Sequence, residues 1–202
     1  PEFTRNTLEV LRQPIEDGVI SISRAAAKFQ YPCSVMVIAA MNPCPCGYYG
    51  HPTRPCTCST GAAQRYLNRV SGPLIDRLDI HISVPPVDFQ NLSSDRKSEP
   101  SSEIKKRVDK ARAIQHERFK GTGITCNAKM DAASTRKYCK MSSNAMYILQ
   151  AAFERLSLSA RAYDKVLRIA RTIADLDDSV QIETKHITEA IQYRSFDRRF
   201  EE

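Results

Sequence analysis

Two apolar stretches frame the first half of the chain. Val35-Met36-Val37-Ile38-Ala39-Ala40 is an unbroken apolar run that stops at Asn42-Pro43, the pattern of a strand buried on both faces of a parallel sheet. Leu78, Ile80, Ile82 and Val84 alternate with Asp79, His81 and Ser83, which predicts a second strand with one apolar and one polar face. Ahead of both, Phe3, Leu8 and Leu11 lie at helical spacing, and Pro14 with Asp17-Gly18 is expected to end that helix. Val19–Arg24 then alternates with period two, and Phe29-Gln30-Tyr31-Pro32 follows. The pair reads as a hairpin with Arg24 and Lys28 near its tip.

Further along, the period becomes helical. Residues 91–102 are polar, with Ser, Pro and charges and no apolar period, and read as a linker between domains. Ser102 is then placed to cap a helix carrying Ile104, Val108, Ala111 and Ile114, whose other face holds Lys105, Lys106, Arg107, Lys110 and Arg112. More helices are predicted near 132–139, after Ser142 (Met146, Leu149, Phe153, Leu156), after Ser159, and after Thr184 (Ile187, Ala190, Ile191). The fold class is therefore α/β over residues 1–90 followed by an all-α region over 103–202.

The helix after Ser159 buries a stripe of Tyr163, Val166, Ile169 or Ala170, and Ile173, and places Arg161 in its first turn. A cation there opposes the helix dipole by roughly 0.3–1 kcal/mol. An anion shared by the helix N-terminus and the guanidinium gives such an arginine a reason; an arginine turned to solvent is the alternative.

Chemistry concentrates between the two framing stretches. Cys44-Pro45-Cys46 and Cys56-Thr57-Cys58 are two C-x-C pairs separated by nine residues, with Gly47, Gly50, Pro45, Pro52 and Pro55 supplying turns. Four thiolates converging on one point satisfy a tetrahedral Zn²⁺, with His51 able to replace one sulfur; the competing reading is four reduced thiols in a loop. Cys33 reads as a small core residue. No run approaches the length of a membrane helix and no signal-peptide pattern is present, so the chain reads as cytoplasmic and its seven cysteines as ligands or free thiols rather than disulfides.

The net charge of +7 is unevenly placed. Lys and Arg number 8 against 7 Asp and Glu in residues 1–90, 13 against 6 in 91–140, and 9 against 10 in 141–202. The surplus in the middle segment suits a polyanion such as nucleic acid, or a helix kept soluble by lysines. Neither a Walker A pattern nor G-x-G-x-x-G occurs.

Four motifs in this order carry a resemblance: Ala40-Met41-Asn42-Pro43-Cys44-Pro45-Cys46-Gly47, Ser71-Gly72-Pro73-Leu74-Ile75-Asp76-Arg77-Leu78-Asp79, Leu158-Ser159-Ala160-Arg161-Ala162, and Ala170-Arg171-Thr172-Ile173-Ala174-Asp175-Leu176. Over nearly its whole length the chain resembles the magnesium-chelatase-like AAA+ ATPases, and most closely their competence-associated ComM/YifB branch. The resemblance implies the C-terminal part of an AAA+ core, with later strands of a parallel sheet, a zinc-knuckle insertion at 44–58 and a helical lid. It implies sensor 1 at Asn42, an arginine finger at Arg77 and sensor 2 at Arg161, all acting on ATP with Mg²⁺. The start at Pro1 looks like a cut just after the Walker B strand, so this piece alone is expected to be inactive. The whole protein is then expected to be a ring, a hexamer, driven by ATP and acting on DNA in competence or recombination, with a branch-migration type of role. The rivals are a magnesium-chelatase subunit serving porphyrin metal insertion and a non-enzymatic zinc module whose basic helix docks on nucleic acid.

Overall fold

Thr4 opens the first helix with its hydroxyl accepting a hydrogen bond from Thr7 N, as an N-cap should. The computed structural model describes residues 1–87 and 98–194, and the chain divides into two units, Pro1–Pro86 and Val87–Ser195. In the first unit, α1 (Arg5–Val10) and α2 (Arg12–Asp17) follow one another across Leu11. Pro14 does not end the helical pattern as expected; it lies in the first turn of α2, where a backbone N–H has no intrahelical acceptor to lose. Gly18, at φ 66°, ends α2 as expected, in the left-handed conformation that glycine adopts without strain.

From Gly18 the chain enters β1 (Val19–Arg24), which pairs antiparallel with β2 (Ala27–Pro32) around Ala25-Ala26. Cys33 N donates to Gly18 O at 2.6 Å and closes the base. The register sets Ile20 opposite Tyr31 and Ile22 opposite Phe29, so all four share one face, and Ser21, Ser23, Lys28 and Gln30 share the other. Arg24 and Lys28 lie beside the turn. The hairpin is as the alternation predicts.

The two framing stretches are not strands here. Residues 35–40 and 78–84 form no ladder, and Met36, Ile38 and Val84 are at least four-fifths exposed. A strand buried on both faces needs paired neighbours at its edges and layers above and below. Among the described residues the sheet consists of β1 and β2 alone. Helices α3 (Ala62–Leu67) and α4 (Gly72–Ile75) complete the first unit and contribute Tyr66, Leu67, Leu74 and Ile75 to its buried side chains, which also include Leu8 and Cys44. Ser71 caps α4, its hydroxyl accepting from Leu74 N.

The second unit is helical. Its first helix, α5 (Ser101–Arg118), begins after Pro100 and takes in Ser101 and Ser102, so Ser102 is not its cap. The ten residues Ser101 to Lys110 are exposed, Ile104 and Val108 among them, and burial starts only at Ala111, Gln115 and Phe119. The predicted stripe is therefore half right: its C-terminal half is buried in the unit and its N-terminal half stays exposed. A 3₁₀ turn (Asn127–Lys129) leads to α6 (Ala132–Tyr138), capped by Asp131, then α7 (Ser143–Arg155), α8 (Ala160–Leu176) and α9 (Thr184–Gln192). Ser142 and Ser159 cap α7 and α8 as their positions predict. Glu183 caps α9, and His186 Nδ1 accepts in return from Glu183 N at 3.0 Å.

Val166, Ala170 and Ala174 of α8 form the centre of the core with Ala145 and Leu149 of α7, Ile182, and Ile187 and Ala190 of α9. On α7 the buried line runs through Ala145 and Leu149, not through Met146, which is exposed, or Phe153, which lies at the margin edge-on to Tyr163. Beside the apolar core Asp175 is fully buried, accepting from both arginines of a cluster, Arg118 and Arg171, and from Asn127 Nδ2 at 2.8 Å. Arg171 also donates to the carbonyls of Ser179 and Val180. No helix among the described residues is long and apolar enough to cross a membrane.

Candidate functional site

The cysteine loop leaves the exposed segment at Asn42 and turns at once. Gly47 N donates to Cys44 O at 3.0 Å, and Gly47 and Gly50 take φ of 83° and 76°, a region closed to most side chains. These turns bring the two C-x-C pairs together. Cys44 Sγ lies 3.3 Å from Cys46 Sγ and 3.7 Å from Cys56 Sγ, Cys46 and Cys56 are 3.5 Å apart, and all four sulfurs lie within 4.8 Å of one another. Four sulfurs about 2.3 Å from a tetrahedral Zn²⁺ would stand about 3.8 Å apart. The quartet has the size and the donor set of such a site.

Its electrostatics agree. The Tyr48 backbone N–H, followed by that of Thr57, holds Cys46 down at about 5 against the drag of burial. Cys58 accepts from the Cys46 backbone, yet burial and the neighbouring sulfurs push it up to about 12. One negative charge is welcome in the loop and several are not. A divalent cation at the centre removes that conflict. His51 is not part of the quartet: its Nδ1 accepts from Thr53 N and Arg54 N at 3.2 and 3.1 Å. Cys33 stands at the hairpin base, half-buried.

Two residues before Cys44, Asn42 lines an open cavity of about 310 Å³ with Glu2, Phe3, Met41 and Tyr66. Tyr66, on α3, donates its hydroxyl to Glu2 Oε1 at 2.9 Å, and Arg69 of the next turn donates to Pro1 O at 3.2 Å. Burial, reinforced by Glu2, raises the Tyr66 hydroxyl above its ordinary range, so it stays protonated and donating.

Arg77 follows α4. Its side chain is 12% exposed, donates to Pro73 O at 2.6 Å and pairs with Glu16 of α2. At the other end of the same motif, Glu9 of α1 is held below the ordinary carboxylate range by the Ser71 side chain and then by Arg12. Arg161 lies in the second unit, exposed, in the first turn of α8 after its Ser159 cap, as the spacing predicts. The sequence reading missed Glu16, Glu2 and Tyr66. The first two were countable as acids in helical register or near Pro1, but nothing in the sequence says what they meet.

The basic face of α5 is largely matched locally. Lys105 pairs with Asp109, Lys106 with Glu103, Arg107 with Glu99 and Lys110 with Asp178, all on the surface. Such pairs contribute about 0–1 kcal/mol each.

Comparison with known proteins gives the family. Residues 1–92 match the family model of magnesium chelatase, subunit ChlI, and residues 98–194 match that of its C-terminal region. The chain is 42% identical over 200 residues to YifB of Salmonella typhimurium, covering 98% of this chain and 38% of that protein. It is 41% identical over 200 residues to the competence protein ComM of Haemophilus influenzae, with the same shares covered. A Mycobacterium tuberculosis protein is 33% identical over 195 residues, 96% of this chain and 38% of that protein. The chain thus spans well under half the length of these relatives.

Proposed function

Because the chain belongs to the magnesium-chelatase-like AAA+ family, in its ComM/YifB branch, we propose that it forms part of a ring-shaped, ATP-driven motor that acts on DNA. The observation that carries this is the similarity to the competence protein ComM along 98% of the chain. The exposed hairpin, with Arg24 and Lys28 beside its turn, supports a polyanionic client. In the whole protein, residues 35–40 and 78–84 join a parallel sheet, which accounts for apolar side chains that stand exposed here. Residues 103–202 act as the helical lid, and 91–102 as the linker, most of which lies outside the described residues. The motor works in the cytoplasm, as a hexamer.

Each candidate then has a task in hydrolysis. Asn42, an amide at the open cavity, orients the attacking water or touches the γ-phosphate. Arg77 reaches the γ-phosphate held by a neighbouring subunit and offsets the charge that develops during transfer. Arg161, beside the N-terminus of α8, meets the nucleotide phosphates from the lid. Mg²⁺ accompanies the ATP. Cys44, Cys46, Cys56 and Cys58 hold a Zn²⁺ whose chemistry is structural: with four sulfurs it has no open position for a substrate.

DNA binding by the full-length protein tests the reading. Affinity is expected to fall steeply with salt, by a log–log slope of about 0.9 for each phosphate contacted. Arg24→Ala with Lys28→Ala should flatten that slope by about two such contacts. Salt-insensitive binding, or none, would instead favour a porphyrin-directed chelatase subunit. For the metal, one Zn²⁺ per chain is expected by elemental analysis, and Cys44→Ser should lose most of it because its sulfur is the fully buried corner. A metal-free wild type would leave the quartet as reduced thiols.

A further inference from the structure

The cysteine quartet and the Asn42 cavity are joined along the chain on two sides. On one side Asn42 reaches the buried Cys44 through Pro43 alone, and a proline with its fixed φ leaves little slack between the two. On the other side the loop passes Cys56 and Cys58 and runs directly into α3, where Ala62 N donates to Ser59 O at 2.9 Å. That helix carries Tyr66, 5% exposed, to the cavity, where it holds Glu2, while Arg69 holds the Pro1 carbonyl. Both polar walls of the cavity, Asn42 and Glu2, are therefore tied to the four sulfurs.

We propose that Tyr66 is a positioning residue that couples the cysteine site to the Asn42 cavity, so that a metal ion on the quartet sets the cavity's geometry for nucleotide. The proposal rests on reading the quartet as a metal site and the cavity as part of a nucleotide site. Cys44 and α3 are held from one centre, and Tyr66 is the only side chain among those lining the cavity that is buried and hydrogen-bonded across it. A ligand that fixes the loop thus fixes both walls together, and a coupling of this kind is reciprocal.

The test is a linkage measurement on the full-length protein, using Zn²⁺ and a non-hydrolysable ATP analogue. Competition with a chromophoric chelator is expected to show Zn²⁺ bound about fivefold or more tightly when the analogue is present, and Zn²⁺ to tighten the analogue by the same factor. Tyr66→Phe is expected to keep one Zn²⁺ and bind the analogue, yet lose the coupling to within about twofold. Glu2→Ala, which removes the acceptor at an exposed position, should lose it as well and stands in if the buried substitution misfolds. Coupling undiminished in both variants overturns the proposal, as does a wild type that binds both ligands independently. A wild type that binds no analogue overturns the ATPase reading, and this inference with it.

Discussion

Arg77→Ala in the full-length protein is expected to lower ATP turnover by about 10³-fold or more, the range an arginine finger supplies, while nucleotide binding is largely retained. The structure gives this a specific form. At rest the guanidinium is folded onto its own chain, against Glu16 and the Pro73 carbonyl, with little of the side chain exposed. To serve a neighbour it must leave Glu16, a pair worth about 1 kcal/mol at a partly exposed site, for a phosphate that carries more charge. The exchange is cheap once a neighbour with ATP is in place and unfavourable without one. Mixing wild type with the variant reads this directly: activity falling more steeply than the wild-type fraction means that Arg77 acts across a subunit boundary. A fall only in proportion means that Arg77 is no shared finger, and loss of its contacts with Glu16 and the Pro73 carbonyl should then show as a small loss of stability.

Asp175→Ala is expected to destabilise the helical unit by about 3–5 kcal/mol, the cost of stranding buried charge. Asp175 has no exposed side-chain surface and answers two guanidiniums at once. Burial pushes the Arg171 pKa down and Asp175 opposes it, so removing the carboxylate leaves the burial uncompensated. Arg171 would keep the Ser179 and Val180 carbonyls, but Arg118 and Asn127 would each lose their carboxylate partner. Urea denaturation of this chain should show a lower midpoint with an unchanged slope. A loss below about 1 kcal/mol would mean that solvent reaches the cluster, placing it with the surface pairs of α5.

Local rules were legible in the sequence wherever the cause is local. The serine caps at 142 and 159 and the period-two hairpin depend on residues within a few positions of one another, and the grouping of the cysteines on residues 44–58 alone. Burial was less legible, because it depends on what lies opposite. The run Val35–Ala40 reads as a core strand and stands exposed for want of partner strands. Ile104 and Val108 keep helical period on a stretch of α5 that stays exposed. The converse error was to miss the burial of Arg171 and Asp175. They lie one position beyond Ala170 and Ala174, inside the arc that α8 buries, and that position was the available signal. Of the candidate site, the quartet was readable from spacing. The anchoring of Arg77 on Glu16 was not, since 61 residues separate them.

Cys139 lies in the helical core, its sulfur directed at the Leu167 carbonyl and its thiol pushed up to about 11 by burial. A thiol so placed is alkylated only when the core around it opens. The chain therefore carries its own clock: in dilute alkylating reagent, the slow gain of mass at Cys139 counts how often the helical unit opens, residue-resolved and without an introduced cysteine.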